Sequence, residues 1–176
     1  MDRLLKNNAY RILELFIDYP NKDFSARGIA RKLRLSHATV LKHLDSLLRL
    51  NLVKKKKETL YPTYYANTEN LKYRFYKKNN IIFRISESGL INYLQQKTLA
   101  SSIILFGSCA KGEFTQKSDV DIFVEAKQVV LALGEYEKKL GRKINLLFEK
   151  NISNLSKELR NNVLNGFVLY GFVKIK

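Results

Sequence analysis

Cysteine occurs once in this chain, at Cys109, which excludes an internal disulfide and any zinc site built from clustered thiolates. Beside Ser108 it reads as a small filler in a turn, the alternative being a thiol open to reagents. Proline is also scarce, with two in 176 residues, and 45% of the residues are apolar and 11% aromatic, so a disordered chain is excluded. No apolar run approaches the roughly 20 residues of a membrane span, and no membrane contact is expected. The opening MDRLLKNNAYRILELF lacks the apolar core and small-residue cleavage site of a signal peptide, which makes a cytoplasmic location the expectation. Acidic residues are the last shortage: 16 Asp and Glu stand against 32 Lys and Arg, for a net charge of +16. Residues 1–100 hold 20 basic and 8 acidic residues, a net +12, and residues 101–176 hold 12 and 8, a net +4. Such an excess attracts polyanions and makes binding depend on salt, so nucleic acid is the natural partner. A chain of this length fits two small domains, each able to bury a core.

What is present begins with residues 103–124, IILFGSCAKGEFTQKSDVDIFV. An apolar strand leads into Gly107-Ser108, and after a ten-residue spacer come Asp119 and Asp121, separated by Val120. Side chains at i and i+2 of a strand share a face, so the two carboxylates converge while Val120 and Ile122 point the other way. Like charges held together repel unless neutralised, and hard divalent cations prefer oxygen ligands. A glycine lets backbone approach a phosphate closely, and the Ser108 hydroxyl can hydrogen-bond it. An isolated Asp-x-Asp is ordinarily a solvated or turn-capping pair; the Gly-Ser turn at this distance and the apolar strand ahead of it set this one apart.

These residues resemble the signature of the minimal nucleotidyltransferase domains of the DNA polymerase beta superfamily. Phe106, Gly107, Ser108, Asp119, Val120, Asp121 and Ile122 fit it, and Lys111, Gly112 and Ser118 fall where the small subgroup has a basic residue, a glycine and a serine. The string NVLNGFVLYG at residues 162–171 is similar to the helix end, glycine and strand that close such domains. The resemblance implies a small mixed sheet that binds a nucleoside triphosphate, ATP above all, through Gly107, Ser108, Lys111, Gly112 and Ser118. It also implies two Mg²⁺ ions held by Asp119 and Asp121, stabilising charge on the entering and leaving oxygens of a nucleotidyl transfer. A third acid is expected on the next strand, KINLLF at residues 143–148, where this chain has Asn145. An amide oxygen can ligate Mg²⁺ but brings no negative charge, so the nucleophile-activating ion is expected to bind less tightly. Glu125 and Glu149 share the faces of Asp121 and Asn145, but four strand residues span about 13 Å at roughly 3.3 Å each, too far to substitute.

In the N-terminal half Asn7 or Asn8 is positioned to cap a helix whose face is Ile12, Leu13, Leu15 and Phe16. Residues 18–22, with Pro20, end it. Ser25 caps a second helix with Ile29, Ala30 and Leu33 inward, and Ser36 starts a third, in which Val40, Leu44, Leu47 and Leu48 face the core. Thr39, Lys42, His43, Ser46 and Arg49 lie on its other side. After Asn51, a residue tolerant of the left-handed conformation, the pattern is strand, basic turn with Lys54, Lys55, Lys56 and Lys57, and return strand with Tyr61, Thr63 and Tyr65. The order resembles a winged helix-turn-helix. That likeness implies double-stranded DNA as partner, the third helix in the major groove through His37, Thr39, Lys42, His43 and Ser46, and the lysine wing on phosphates. His37 and His43 lie on opposed sides of the helix at about 100° per residue, so they are not a metal pair.

The expected organisation is α+β: a winged helix-turn-helix over residues 1–67, a connector over 68–98 and a nucleotidyltransferase-like domain over 99–176. Within the connector Leu71, Phe75 and Tyr76 suggest a helix, residues 81–85 an apolar extended piece, and residues 89–94 another helix. Its apolar surface suits packing on a neighbour or a second chain, and winged helices commonly pair on half-sites, so a homodimer is expected. The functional expectation is a DNA-binding regulator, of the transcription-factor kind, with a nucleotide- and Mg²⁺-binding second domain. Its rival is an active enzyme moving a nucleoside monophosphate onto a protein or small-molecule hydroxyl. Since domains it resembles are often antitoxins that modify a small helical toxin-like protein, the rival includes such a partner.

Overall fold

The Asn7 side chain accepts the Tyr10 N–H at 2.7 Å and starts α1 (Asn8–Asp18), whose buried stripe is Ile12, Leu13, Leu15, Phe16 and Ile17. The computed structural model describes residues 7–56 and 61–174. They belong to two units, Met1–Lys77 and Lys78–Lys176.

In the first unit α1 is followed by β1 (Phe24–Ser25), α2 (Ala26–Leu33), α3 (His37–Arg49), β2 (Val53–Lys56) and β3 (Thr63–Ala66). The strands form an antiparallel sheet in the order β1-β3-β2. Three helices with this small sheet are a winged helix-turn-helix. Local chemistry sets the boundaries: the Ser25 and Ser36 hydroxyls accept the Gly28 and Thr39 amides, each at 3.1 Å, satisfying N–H groups that a helix start leaves without partners. Arg34 ends α2 at φ 54°, and Asn51 follows α3 at φ 56°. Ile29, Val40, Leu44 and Leu47 are buried as expected, Ala26 joins them, and Leu48 is only half-buried. Lys57, expected in the wing, lies outside the described residues.

The stretch expected to be partly extended is instead one helix, α4 (Leu71–Ser88). Residues 81–85 read as a strand because isoleucines and a phenylalanine crowd together, yet the buried positions are Tyr73, Lys77, Asn80, Ile81, Ile85 and Ser88, a helical spacing. Leu71, Phe75 and Tyr76, which suggested the helix, lie on its exposed side. The division between the units falls within α4.

Tyr73 carries out a task that its sequence distance conceals. Its hydroxyl donates to the Phe16 carbonyl at 2.8 Å. The residue four places after Phe16, whose amide ordinarily closes that helical turn, is Pro20, which has no N–H. Burial, with Asp18 nearby, pushes the Tyr73 phenol well above its usual range, so it remains a donor.

In the second unit Gly89, at φ 83°, precedes α5 (Leu90–Thr98). Then come β4 (Ser102–Phe106), α6 (Gly107–Lys111), β5 (Val120–Glu125), α7 (Gly134–Leu140), β6 (Ile144–Glu149), a 3-10 turn (Ile152–Asn154), α8 (Lys157–Leu164) and β7 (Phe167–Gly171). The sheet order is β6-β5-β4-β7, with β5 parallel to β6 and the other pairs antiparallel. One face packs Ile104, Phe106 and Phe123 against Ile152 and Val163, flanked by Leu155 and Leu159. Gly166 makes the turn from α8 into β7: a Cβ there would lie 2.4 Å from the Leu105 carbonyl oxygen, so no larger residue fits. Among the described residues no helix is long and apolar enough to cross a membrane.

Replacing Tyr73 by Phe keeps the ring and removes only the donor, leaving a buried carbonyl at the end of α1 without it. We expect a loss of about 1–3 kcal/mol, read as a fall in Tm by thermal denaturation; an unchanged Tm would show that the carbonyl finds another donor.

Candidate functional site

Strand register assembles the site. Asp121 pairs with Phe106 across the antiparallel β4–β5 ladder and with Asn145 across the parallel β5–β6 ladder. Asp119, one residue ahead of β5, lies on the same face two positions back, as alternation requires. Gly107 therefore lands beside Asp121. At φ 69° its backbone is in the left-handed region, and a Cβ there would meet Asp121 Oδ2 at 2.6 Å. Glycine is needed for both conformation and clearance.

Asn145 Nδ2 donates to Asp119 Oδ2 at 3.2 Å and to Asp121 Oδ1 at 3.1 Å. The two carboxylates thus converge on one atom, and that atom is an amide nitrogen. Two hard anionic oxygens arranged around one point fit a divalent cation. For Asn145 to ligate through Oδ1 its amide has to turn over, surrendering both hydrogen bonds. Among the described residues no cluster of three or more His, Cys, Asp or Glu side chains is arranged for a metal, so any ion here has two acids and an amide at most from those residue types and Asn145.

The other acids are committed elsewhere. Glu125, at the far end of β5, accepts from the Ser101 and Ser102 hydroxyls at 2.7 and 3.1 Å and from the Ile152 amide at 3.2 Å. Glu149 accepts from Asn154 Nδ2 at 3.1 Å and the Lys150 amide at 2.7 Å, and the Asn154 bond leads in holding its carboxyl below the usual range. The expectation that neither replaces a third acid agrees with these partners.

Gly107 opens α6 directly after Phe106 at the end of β4, and the start of this helix has no side-chain cap. Ser108 sits half-buried in that first turn, and Lys111 ends the helix, exposed. Gly112, at φ 71°, closes α6 in the left-handed conformation. Ser118 turns back on its own loop, its hydroxyl accepting the Thr115 amide at 2.9 Å. Cys109 is buried, its thiol 3.3 Å from the Asp119 carbonyl, which supports the filler reading over the reactive one. Arg142 is the site neighbour that the sequence did not single out: Nη1 donates to the carbonyls of Thr115 and Ser118 at 2.6 and 2.8 Å, and the guanidinium lies 4.6 Å from the Phe114 ring centre.

On the first unit, Thr39, Lys42, His43 and Ser46 follow one another at helical spacing along the outer side of α3. Lys42 and Ser46 are exposed, Thr39 and His43 partly covered. His37 stands in the first turn, exposed and rotated away from that row. Thr39 shares a 2.7 Å hydrogen bond with Ser36, and the Ser46 hydroxyl donates to the Lys42 carbonyl at 3.3 Å. Lys55 and Lys56 are exposed on β2, whereas Lys54 is turned to Glu69 at 3.2 Å. Arg27, one of the basic residues of the first unit, lies 5.5 Å from the Tyr61 ring centre.

Residues 87–170 match the family model described as the nucleotidyltransferase domain. Over 69 residues the chain is 45% identical to a candidate protein adenylyltransferase of Methanocaldococcus jannaschii, a match covering 35% of this chain and 69% of that protein. Among solved structures, the adhesin competence repressor of Streptococcus pyogenes is similar with a TM-score of 0.40 and 19% identity, over 55% of this chain and 69% of that one, which is too weak to bear on function. With its aspartate pair, its glycine turn and the extent of the first two matches, this chain belongs to the nucleotidyltransferase family.

Proposed function

We propose that the protein is a DNA-binding regulator whose second unit binds a nucleoside triphosphate, ATP above all, together with Mg²⁺, and in which that occupancy changes the affinity of the winged helix for double-stranded DNA. The observation that carries this reading is the Asn145 amide seated between Asp119 and Asp121. Mg²⁺ supplies charge neutralisation for the phosphates. Asp119 and Asp121 would hold that ion, and the uncapped start of α6 at Gly107 and Ser108, with Lys111 at its end, is suited to phosphate oxygens. With no third carboxylate beside Asn145, a second ion would be held more weakly, which favours binding over transfer. The outer row of α3 and the lysines of β2 suit the major groove and its flanking phosphates, and the N-terminal excess of charge supports the same surface.

The rival reading is an active transferase that moves a nucleoside monophosphate onto a protein or small-molecule hydroxyl, with the winged helix for docking or autoregulation. It is favoured by the 45% identity to a candidate protein adenylyltransferase, and a small helical toxin-like protein is its natural acceptor. A homodimer on paired half-sites belongs to the regulator.

Asn145→Asp completes three carboxylates at the cost of mutual repulsion. We expect it to lower Tm without metal, regain it with Mg²⁺, and bind MgATP at least about tenfold more tightly by calorimetry, since a close unit charge is worth about 4 kcal/mol at an effective dielectric near 20. Unchanged metal dependence would remove Asn145 from the site.

A labelled mixed-sequence duplex, titrated with and without ATP and Mg²⁺, tests the regulatory link, and equal affinity in both conditions removes it. In the same assay Lys42→Ala and Lys55→Ala each weaken binding and reduce the salt slope by about 1; an unaltered slope places the DNA surface elsewhere.

With radiolabelled ATP, acid-stable label on protein that is lost in Asp119→Ala establishes the transferase instead. Absence of label with every acceptor tried favours the regulator.

A further inference from the structure

The segment that joins α6 to β5, residues 112–119, carries no regular structure, yet it delivers Asp119 to the aspartate site. Its beginning is tied by the Glu113 amide to the Ser108 carbonyl at 3.0 Å, and the Phe114 ring is buried. Residues 115–118 close a turn through the Thr115 amide on Ser118 Oγ, at 2.9 Å, and the Ser118 amide on the Thr115 carbonyl, at 3.2 Å. Such a turn is closed within itself, but nothing in it fixes where the whole turn sits. Arg142 does that. One nitrogen of its guanidinium gathers both end carbonyls of the turn while the guanidinium carbon lies over the Phe114 ring, 4.6 Å from its centre.

The residues next to Arg142 complete the arrangement. Lys143 accepts the Val120 amide on its carbonyl at 2.9 Å, and Asn145 donates to the Asp119 carboxylate. Asp119 is therefore held on three sides by one short segment: the carbonyl before it by Arg142, the amide after it by Lys143, its side chain by Asn145. That segment is itself anchored to α7, through the Arg142 amide on the Glu137 carbonyl at 3.2 Å and the Ile144 amide on Glu137 Oε1 at 3.0 Å.

We propose that Arg142 is a positioning residue for metal binding, setting the place of Asp119 by clamping the turn that precedes it. This rests on the reading of Asp119 and Asp121 as ion ligands. Arginine suits the task because its planar, always-charged head donates to two carbonyls while stacking on an aromatic ring; a lysine ammonium is a point charge that does not stack in that manner. Groups that orient metal ligands typically change metal affinity by about ten- to a hundredfold when removed.

The test is a titration of Mn²⁺ in the presence of ATP, with protein-bound Mn²⁺ read from its enhancement of water-proton relaxation over that of Mn²⁺ and ATP without protein, on the full chain and on Arg142→Ala, Arg142→Lys and Tyr73→Phe. Arg142→Ala is expected to weaken Mn²⁺ binding about tenfold and Arg142→Lys by a smaller factor, while binding of ATP without metal stays the same in both. Tyr73→Phe lowers Tm but leaves Mn²⁺ affinity at the wild-type value, which separates lost stability from lost positioning. Wild-type Mn²⁺ affinity in Arg142→Ala overturns the proposal, as does the same result in Arg142→Lys if the alanine variant does not fold. If the wild-type chain itself binds no Mn²⁺ with ATP, the reading of the aspartate pair falls and this role falls with it.

Discussion

The parallel ladder between β5 and β6 is the constraint on which the site depends. It sets Asp121 opposite Asn145, and alternation then brings Asp119 to the same amide. Side chains in a strand alternate with a period of two, so a slip of one residue would turn Asn145 toward the other face of the sheet. The slip is opposed by Val120, Ile122 and Ile144, which are buried on the opposite parity and would be forced outward by it. The β4–β5 ladder then brings Gly107 against Asp121, where only a hydrogen fits. Packing at Val120, Ile122 and Ile144 on one face, and at Phe106 and Phe123 beside Asp121 on the other, thus holds the register that assembles the site.

An amide in this place changes the electrostatics of the pair. Three carboxylates around one point would be held together only by a cation, whereas two carboxylates sharing an N–H donor are already partly compensated. The resting site is quieter in this chain, and an incoming ion competes with hydrogen bonds as well as with water. The same consideration separates ion binding from turnover under the proposed reading: an ion on the phosphate side would keep two acids, and one at a nucleophile would lack a third.

Much of this architecture was legible because it is written in local chemistry. Asn7, Ser25 and Ser36 announce helix starts through caps that reach three residues, and Gly107, Asp119 and Asp121 announce their turn and shared face by spacing alone. The misreading of residues 81–85 came from composition taken over a window too short to reveal period: Ile81 and Ile85 are buried while Ile82 and Phe83, between them, are only partly so. Leu71 and Phe75 misled in the opposite way, since apolar side chains are not obliged to be inside. Arg142 was invisible for a different reason. Its partners are carbonyls 24 and 27 residues away, and every residue has a carbonyl, so no side-chain identity marks the pairing. Lys54 illustrates the same limit, since its attachment to Glu69 is set by the fold.

The bond from Tyr73 to Phe16 reaches across 57 residues to finish a helical turn that Pro20 leaves open. Closing so long a loop carries an entropic cost that local turns avoid, so the last turn of α1 is completed only after α4 has begun to form. A polypeptide cut just beyond β3, where the winged helix ends as a pattern, would have every strand and helix of that motif and still lack the hydroxyl that seals its first helix. The self-sufficient fragment for crystallisation or transplantation thus extends past Tyr73, into a helix that the sequence pattern groups with the connector.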